Sequence, residues 1–201
     1  SFGGSSDALD EFTNPFYCGA LCVYSGANIV LDLNGYSLNR NLFTSANINN
    51  SKDDLINGGR VITVNGGTLE VTDGGSGGQI TGGRAATEGG GVLLLGGANF
   101  TLSSGIIRNN KSYDGGAVRI RNNSRFVMNG GSISSNYAVS QSIINCYRGG
   151  SFIMNGGAIS SNTCYSECGS AIYTAQSGEA NTVQLLGGQI TGNISDATGE
   201  Q

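Results

Sequence analysis

Apolar and polar residues alternate along most of this chain in short runs. Val118-x-Ile120, Phe126-x-Met128 and Ile133 between two serines each place one set of side chains on one side of the backbone. That two-residue period belongs to half-buried strands, and the spacing of an amphipathic helix is absent. The runs also repeat. "FVMNGGSISSN" from Phe126 returns as "FIMNGGAISSN" from Phe152 with nine of eleven positions identical, and "FTLSSGIIRNN" from Phe100 precedes both at the same 26-residue interval. "VQLLGGQITGN" follows from Val183 after 31 residues, and a looser copy, "LEVTDGGSGGQITGG" from Leu69, carries four extra residues in its turn. A second phrase precedes each copy: "GGGVLL" at 89–94, "GGAVRI" at 115–120, "QSIINC" at 141–146 and "GSAIYT" at 169–174. Each unit therefore holds three short strands.

Strands this short cannot bury an inner face alone, but units stacked on one another bury it against near-identical neighbours. The fold class predicted is all-β, a right-handed parallel β-helix (β-solenoid) with three short strands per coil and a repeat near 26 residues. The hexapeptide repeat of the left-handed form is missing. In this register Phe100, Phe126 and Phe152 stack inside, as do Leu102, Met128 and Met154, with Ile107, Ile133, Ile159 and Ile190 forming a third column. Asn110, Asn136, Asn162 and Asn193 line up as an amide ladder, and the Gly-Gly pairs at 130–131, 156–157 and 187–188 fall at corners. "NIVLDLNGYSL" at 28–38 and "VITVNGGTLEV" at 61–71 read as the first rungs around a polar insertion. The expected organisation is an N-terminal cap over 1–27, a β-helix domain over 28–195 with a loop insertion at 39–60, and a frayed tail over 196–201.

Composition narrows the partners. Glycine fills 35 of 201 positions, yet Val, Ile, Leu and Phe recur in order, which separates this chain from a disordered glycine-rich linker. A net charge of −4 argues against general affinity for nucleic acid or acidic membranes, and no apolar run is long enough for a spanning helix. No nucleic-acid partner and no membrane insertion are expected. The start at Ser1, without a methionine or a leader, is what a processed or excised protein would show. Five cysteines without any histidine suggest two local disulfides, Cys18 with Cys22 and Cys164 with Cys168, and one free thiol at Cys146, as suits an oxidising compartment. Zinc is the weaker reading of those pairs, because CxxxC without histidine lacks the usual ligand spacing.

"LDLNGYSL" leading into "GGAV" and "FVMNGGSISSN" units resembles bacterial cell-surface right-handed β-helix repeat proteins over most of 28–193. "GGAV" at 115–118 with "FVMN" at 126–129 and "FIMN" at 152–155 is also similar to the GGAI and FxxN repeats of chlamydial polymorphic outer-membrane adhesins. The resemblance implies surface display and adhesion, hence an extracellular or cell-surface location. The chain departs from those adhesins in carrying no outer-membrane barrel, anchor motif or cell-wall module.

Enzymes of the β-helix class require paired carboxylates across a groove or a positioned base, often beside calcium. Glu70, Asp73, Glu88, Asp114, Glu167 and Glu179 fall mostly in different turns, and the adjacent pair Asp53-Asp54 sits in a polar loop that reads as a solvated turn. No catalytic residue, metal ligand or cofactor is assigned. The candidate ligand-binding residues are instead Arg119, Arg121, Arg125, Tyr147 and Arg148, with Val127 and Ile153 facing outward beside them. Planar guanidinium donors next to apolar area suit an anionic glycan or a protein surface. The function expected is an adhesin-like or structural module that binds a host glycan or surface protein, with self-association along exposed strands also open to it. The alternatives are a polysaccharide lyase or glycosidase, and an ice or mineral binder using outward Ser/Thr arrays, which Arg108 and the glutamines interrupt.

Overall fold

A computed structural model describes residues 19–44, 51–166, 169–175 and 178–196. Every strand pairing among the described strands is parallel, and the strands form four sheets that run the length of a β-solenoid. No helix occurs among the described residues. Sheet 1 holds Leu21–Tyr24, Ile62–Asn65, Val92–Leu95, Val118–Arg121, Ile144–Tyr147 and Ile172–Ala175. Sheet 2 holds Asn28–Asp32, Thr68–Thr72, Asn99–Leu102, Arg125–Met128, Ser151–Met154 and Thr182–Leu185. Sheet 3 holds Ser37–Asn39, Gln79–Thr81, Ile106–Arg108, Ser132–Ser134, Ala158–Ser160 and Gln189–Thr191.

These three sheets carry the three strands expected of each coil. A fourth is added by the connection back to sheet 1, through Arg84–Glu88, Lys111–Asp114, Tyr137–Gln141, Thr163–Cys164 and Ile194–Ser195. Its register slips between Ser112 and Asp114 against both neighbours, and "RAATE", "KSYD" and "YAVSQ" share little alternation. The first strand starts at Leu21, within the stretch 1–27 expected to cap the fold; residues 1–18 lie outside the described residues.

The 26-residue register holds rung by rung. Phe126 pairs with Phe100 on one side and Phe152 on the other, the ring centroids lying 5.0 and 5.1 Å apart, and all three are buried. Rings at that separation match the pitch of hydrogen-bonded strands, so the stacking and the sheet reinforce one another. Met128 lies between Leu102 and Met154, and Ile133 between Ile107 and Ile159. Where the chain turns out of sheet 2, Gly157 has a φ of 86° and a Cβ there would sit 2.7 Å from the Gly131 carbonyl oxygen. Only glycine fits both conditions.

The asparagine column is a directed hydrogen-bond ladder. The backbone N–H of Asn110 donates to Asn136 Oδ1 (3.1 Å), that of Asn136 to Asn162 Oδ1 (2.9 Å) and that of Asn162 to Asn193 Oδ1 (3.2 Å). Each side-chain Nδ2 donates in the same direction, Asn136 to Asn162 Oδ1 at 3.0 Å, and also back to the previous rung, where Ile107 O accepts at 2.9 Å. Asn110, Asn136 and Asn162 are fully buried. Every such amide in an apolar interior needs these partners, so the ladder penalises any slip of register.

The insertion over 39–60 is more ordered than a polar loop. Its described residues run from the end of sheet 3 on to sheet 4: Leu42 N donates to Gly82 O and Ile56 N to Arg84 O, and the Phe43 ring stacks on Tyr137 at 5.5 Å. Asp54, expected in a solvated turn, instead reaches the fully buried Lys111 ammonium with oxygens at 3.0 and 3.2 Å. Burial pulls the Lys111 pKa down, and Asp54 works against that shift.

The cysteines depart from the expected bridges. Cys22 and Cys164 are free thiols. Cys22 Sγ is engaged with the Gly19 backbone, and Cys164 Sγ lies 3.6 Å from Ser140 O at the inner side of sheet 4. The partners proposed for them, Cys18 and Cys168, lie outside the described residues. Cys146 is buried in register with Ile120, and burial pushes its thiol pKa up to about 12.

Two outcomes check this packing. Phe152→Ala should lower stability by about 3–5 kcal/mol in denaturant titration, through lost burial and the cavity left between Phe126 and Val183. Cys146 should react with a thiol reagent at pH 8 far more slowly in the native protein than after unfolding; equal rates would place it outside the column.

Candidate functional site

The seven candidate residues divide between two sheets and the corner that joins them. Arg119 and Arg121 alternate with the inward Val118 and Ile120 on sheet 1, so their side chains leave from its outer face. Neither reaches open solvent: Arg119 is 4% and Arg121 9% exposed. Glu88 holds both, its Oε1 lying 3.1 Å from Arg119 Nη2 and its Oε2 2.9 Å from Arg121 Nη1. Asp114 adds a second carboxylate 3.8 Å from Arg119 Nη1. The Arg119 guanidinium also lies over the Tyr147 ring at 4.9 Å.

This charge cluster was not legible as a group, because Glu88 and Asp114 stand in different turns of the sequence. They are 26 residues apart, one full repeat, and are Cα partners on adjacent strands of sheet 4. That interval was the available signal. Burial raises the Asp114 pKa, the Glu88 charge adds to the shift, and Arg119 opposes it. Two carboxylates facing two guanidiniums clasp sheet 4 to sheet 1, and Arg119 and Arg121 are therefore not among the exposed candidates.

The remaining candidates lie at the corner between sheets 1 and 2 and on sheet 2. Arg125 is exposed and opens its strand beside Asn99 and Ser151. Val127 and Ile153 are direct cross-strand neighbours, half-buried on the outer face. Arg148 sits at the corner with a φ of 46°, its guanidinium 5.1 Å from the Tyr147 ring centroid. Asn122 and Asn123, also left-handed, occupy the same corner one rung earlier, where Asn123 N donates to Arg148 O at 3.0 Å. Asn122, Asn123, Arg148, Gly178 and Glu179 line a shallow polar cleft of about 380 Å³. The asparagines and Glu179 were not among the expected binding residues; their signal was the "RNNS" turn recurring as "YRGG" at the repeat interval.

Three hydrogen bonds from glycine backbone N–H groups hold this corner. Gly97 N donates to Asn122 O, Gly149 N to Glu179 O, and Gly150 N to Asn181 Oδ1 at 3.0 Å. Its groups are therefore presented on a frame continuous with the rungs. Among the described residues no group of histidine, cysteine and carboxylate side chains is placed to hold a metal ion, and no helix is long and apolar enough to cross a membrane. No protein-family model, no curated protein and no solved structure matches this chain.

The clasp and the corner respond differently to substitution. Glu88→Ala leaves two largely buried guanidiniums without their shared carboxylate and should cost about 3–5 kcal/mol in chemical denaturation, whereas Arg125→Ser on the exposed strand should change stability by less than about 0.5 kcal/mol. Asp114 carries the opposite pH signature. Its folded pKa is raised, so its contribution is most favourable below the unfolded carboxyl pKa and is lost as pH rises through the folded value. Asp114→Asn should therefore compare better with the parent at pH 7 than at pH 3 in thermal melts.

Proposed function

We propose that this solenoid is a secreted or cell-surface binding module, adhesin-like in character, that presents the corner between sheets 1 and 2 to a glycan. The observation that carries the reading is the grouping of Arg148 on the Tyr147 ring with Asn122 and Asn123 around one polar cleft. Exposed Arg125 lies on the adjoining strand, cross-strand from Ser151, three residues beyond Arg148. Amide side chains and a guanidinium, the latter held in place on the Tyr147 ring, supply the hydrogen bonds and the charge that a hydroxyl-rich, partly anionic polymer takes up. The frame is already ordered, so binding orders few further groups and affinity can build from many modest contacts. Fold alone selects no function among solenoids, and the reading rests on this corner.

One observation favours a second reading. Glu88 and Asp114 lie side by side across adjacent rungs, and the raised pKa of Asp114 is what a general acid requires. Against a polysaccharide-active enzyme stands the commitment of both carboxylates to arginine.

A polysaccharide panel separates the two. The binding module retains a glycan without releasing reducing ends or unsaturated products, and Arg125→Ser with Arg148→Ser lowers retention by about tenfold or more while the melting curve stays unchanged. Product release that disappears in Asp114→Asn would transfer the assignment to the enzyme. Undiminished retention by the folded double variant would remove the corner as the site.

A further inference from the structure

We infer that the outer face of sheet 1 is a docking surface for the chain's own residues 1–18, which run along the side of the solenoid as a strap and do not cap its end. The strap is separate from the ligand at the corner between sheets 1 and 2, and neither depends on the other.

The outer face of sheet 1 is covered. Leu93 and Leu95 alternate with the inward Val92 and Leu94, so they point outward, cross-strand from Thr63 and Asn65. On the open face of sheet 2 the corresponding outward residues Thr101, Val127 and Ile153 are half-buried. Leu93 is instead 0% and Leu95 1% exposed, and Thr63 and Asn65 are buried with them. The arginines beside the leucines are not the outermost layer, because they are buried too. Arg60 is fully buried, its Nε donating to Glu88 O at 3.1 Å, and Arg119 and Arg121 are at most 9% exposed. Glu88, Asp114 and Tyr147 meet these guanidiniums from neighbouring strands. A layer of leucine and guanidinium that sees no solvent carries a second layer above it.

Three observations assign that layer to residues 1–18. The first is where the chain enters. A Cβ on Gly19 would lie 2.9 Å from Thr63 N, and Leu21 N donates to Val61 O at 3.0 Å, so the chain arrives pressed against the second strand of sheet 1. At a strand spacing of about 4.8 Å, the strand Val118–Arg121 lies roughly 14 Å from Leu21–Tyr24, three strands away. The eight residues from Glu11 to Cys18 span up to about 26 Å when extended, enough to bring acidic groups over the arginines. The second is chemical. "SFGGSSDALDEFTNPFYC" carries Asp7, Asp10 and Glu11, three phenylalanines and no lysine or arginine. Among the described residues the face sets three guanidiniums, on Arg60, Arg119 and Arg121, against the carboxylates of Glu88 and Asp114, beside two leucines. Acidic and aromatic side chains complement both parts of it. The third is the end itself. Ile29 points inward on the first coil, paired with the buried Leu69, and is 41% exposed. A cap over that end would bury it.

The test uses the full chain. In the unmodified protein, NOEs from the Leu93 and Leu95 methyl groups should reach aromatic protons of Phe2, Phe12 or Phe16. NOEs from those rings to Ile29 and Leu38 instead would make the segment an end cap, and leucine methyls without any NOE to residues 1–18 would mean another cover; either overturns the inference. NOEs found only between differently labelled chains overturn it as well, since the strap would then belong to a second copy. Proteolysis supplies the second measurement. Chymotrypsin should cut after Phe12 in the chain about tenfold or more slowly than in a free peptide of residues 1–18, because cleavage waits for the strap to lift. Asp7→Asn, Asp10→Asn and Glu11→Gln together should speed cleavage in the chain and leave the peptide bearing the same changes unaffected. Equal rates in chain and peptide overturn the inference.

Discussion

A single coil of this chain has no core of its own. Its inward residues on four short strands enclose space only one layer deep, so each coil is stable only in register with the coils above and below. The buried asparagine column makes that constraint strict. Asn110, Asn136 and Asn162 place amides in an apolar interior, and each is satisfied by the carbonyl of the preceding rung and the Oδ1 of the following one. A displacement by one residue would bury these groups unpaired and move Phe126 off Phe100 and Phe152. The register of the aromatic column, the corner glycines and the outward faces all follow from this fixed pitch.

The fixed pitch also builds the outer surface. Residues far apart in the chain but one repeat apart in register become neighbours: Glu88 beside Asp114, Arg121 beside Tyr147, Val127 beside Ile153. The Glu88 clasp consumes two arginines in joining sheet 4 to sheet 1. Arg148, Arg125, Asn122 and Asn123 remain at the corner that the backbone bonds of Gly149 and Gly150 hold. The corner displays polar groups because it is the place where left-handed turns lift polar side chains off the strands without breaking the ladder.

The fold was legible in the sequence because stacking demands repetition, and repetition survives as the phrases from Phe100, Phe126, Phe152 and Val183. The fourth strand was not, because it meets its neighbours through a register slip at Ser112–Asp114 and needs no shared phrase. The insertion read as a loop for a similar reason: Asp54 gains its meaning only from Lys111, which lies 57 residues away. Arg119 and Arg121 were correctly placed on the outer face but taken as exposed, since alternation reports the direction of a side chain and not what covers it. The cysteine spacing suggested bridges for Cys22 and Cys164, whereas both are free thiols and Cys164 lies on the inner side of its strand; Cys146 is the buried free thiol that the repeat register implies.

Excision of one whole repeat tests the central claim most directly. Removing residues 137–162 joins Asn136 to Thr163 and so presents the same junction that Asn162 makes in the parent chain. The account predicts a solenoid one coil shorter that retains its β-sheet circular dichroism and a cooperative melt, while removal of 137–149 alone, half a coil, abolishes both. Loss of cooperative folding in the whole-repeat deletion, or equal behaviour of the two deletions, would contradict a structure held together by register between coils.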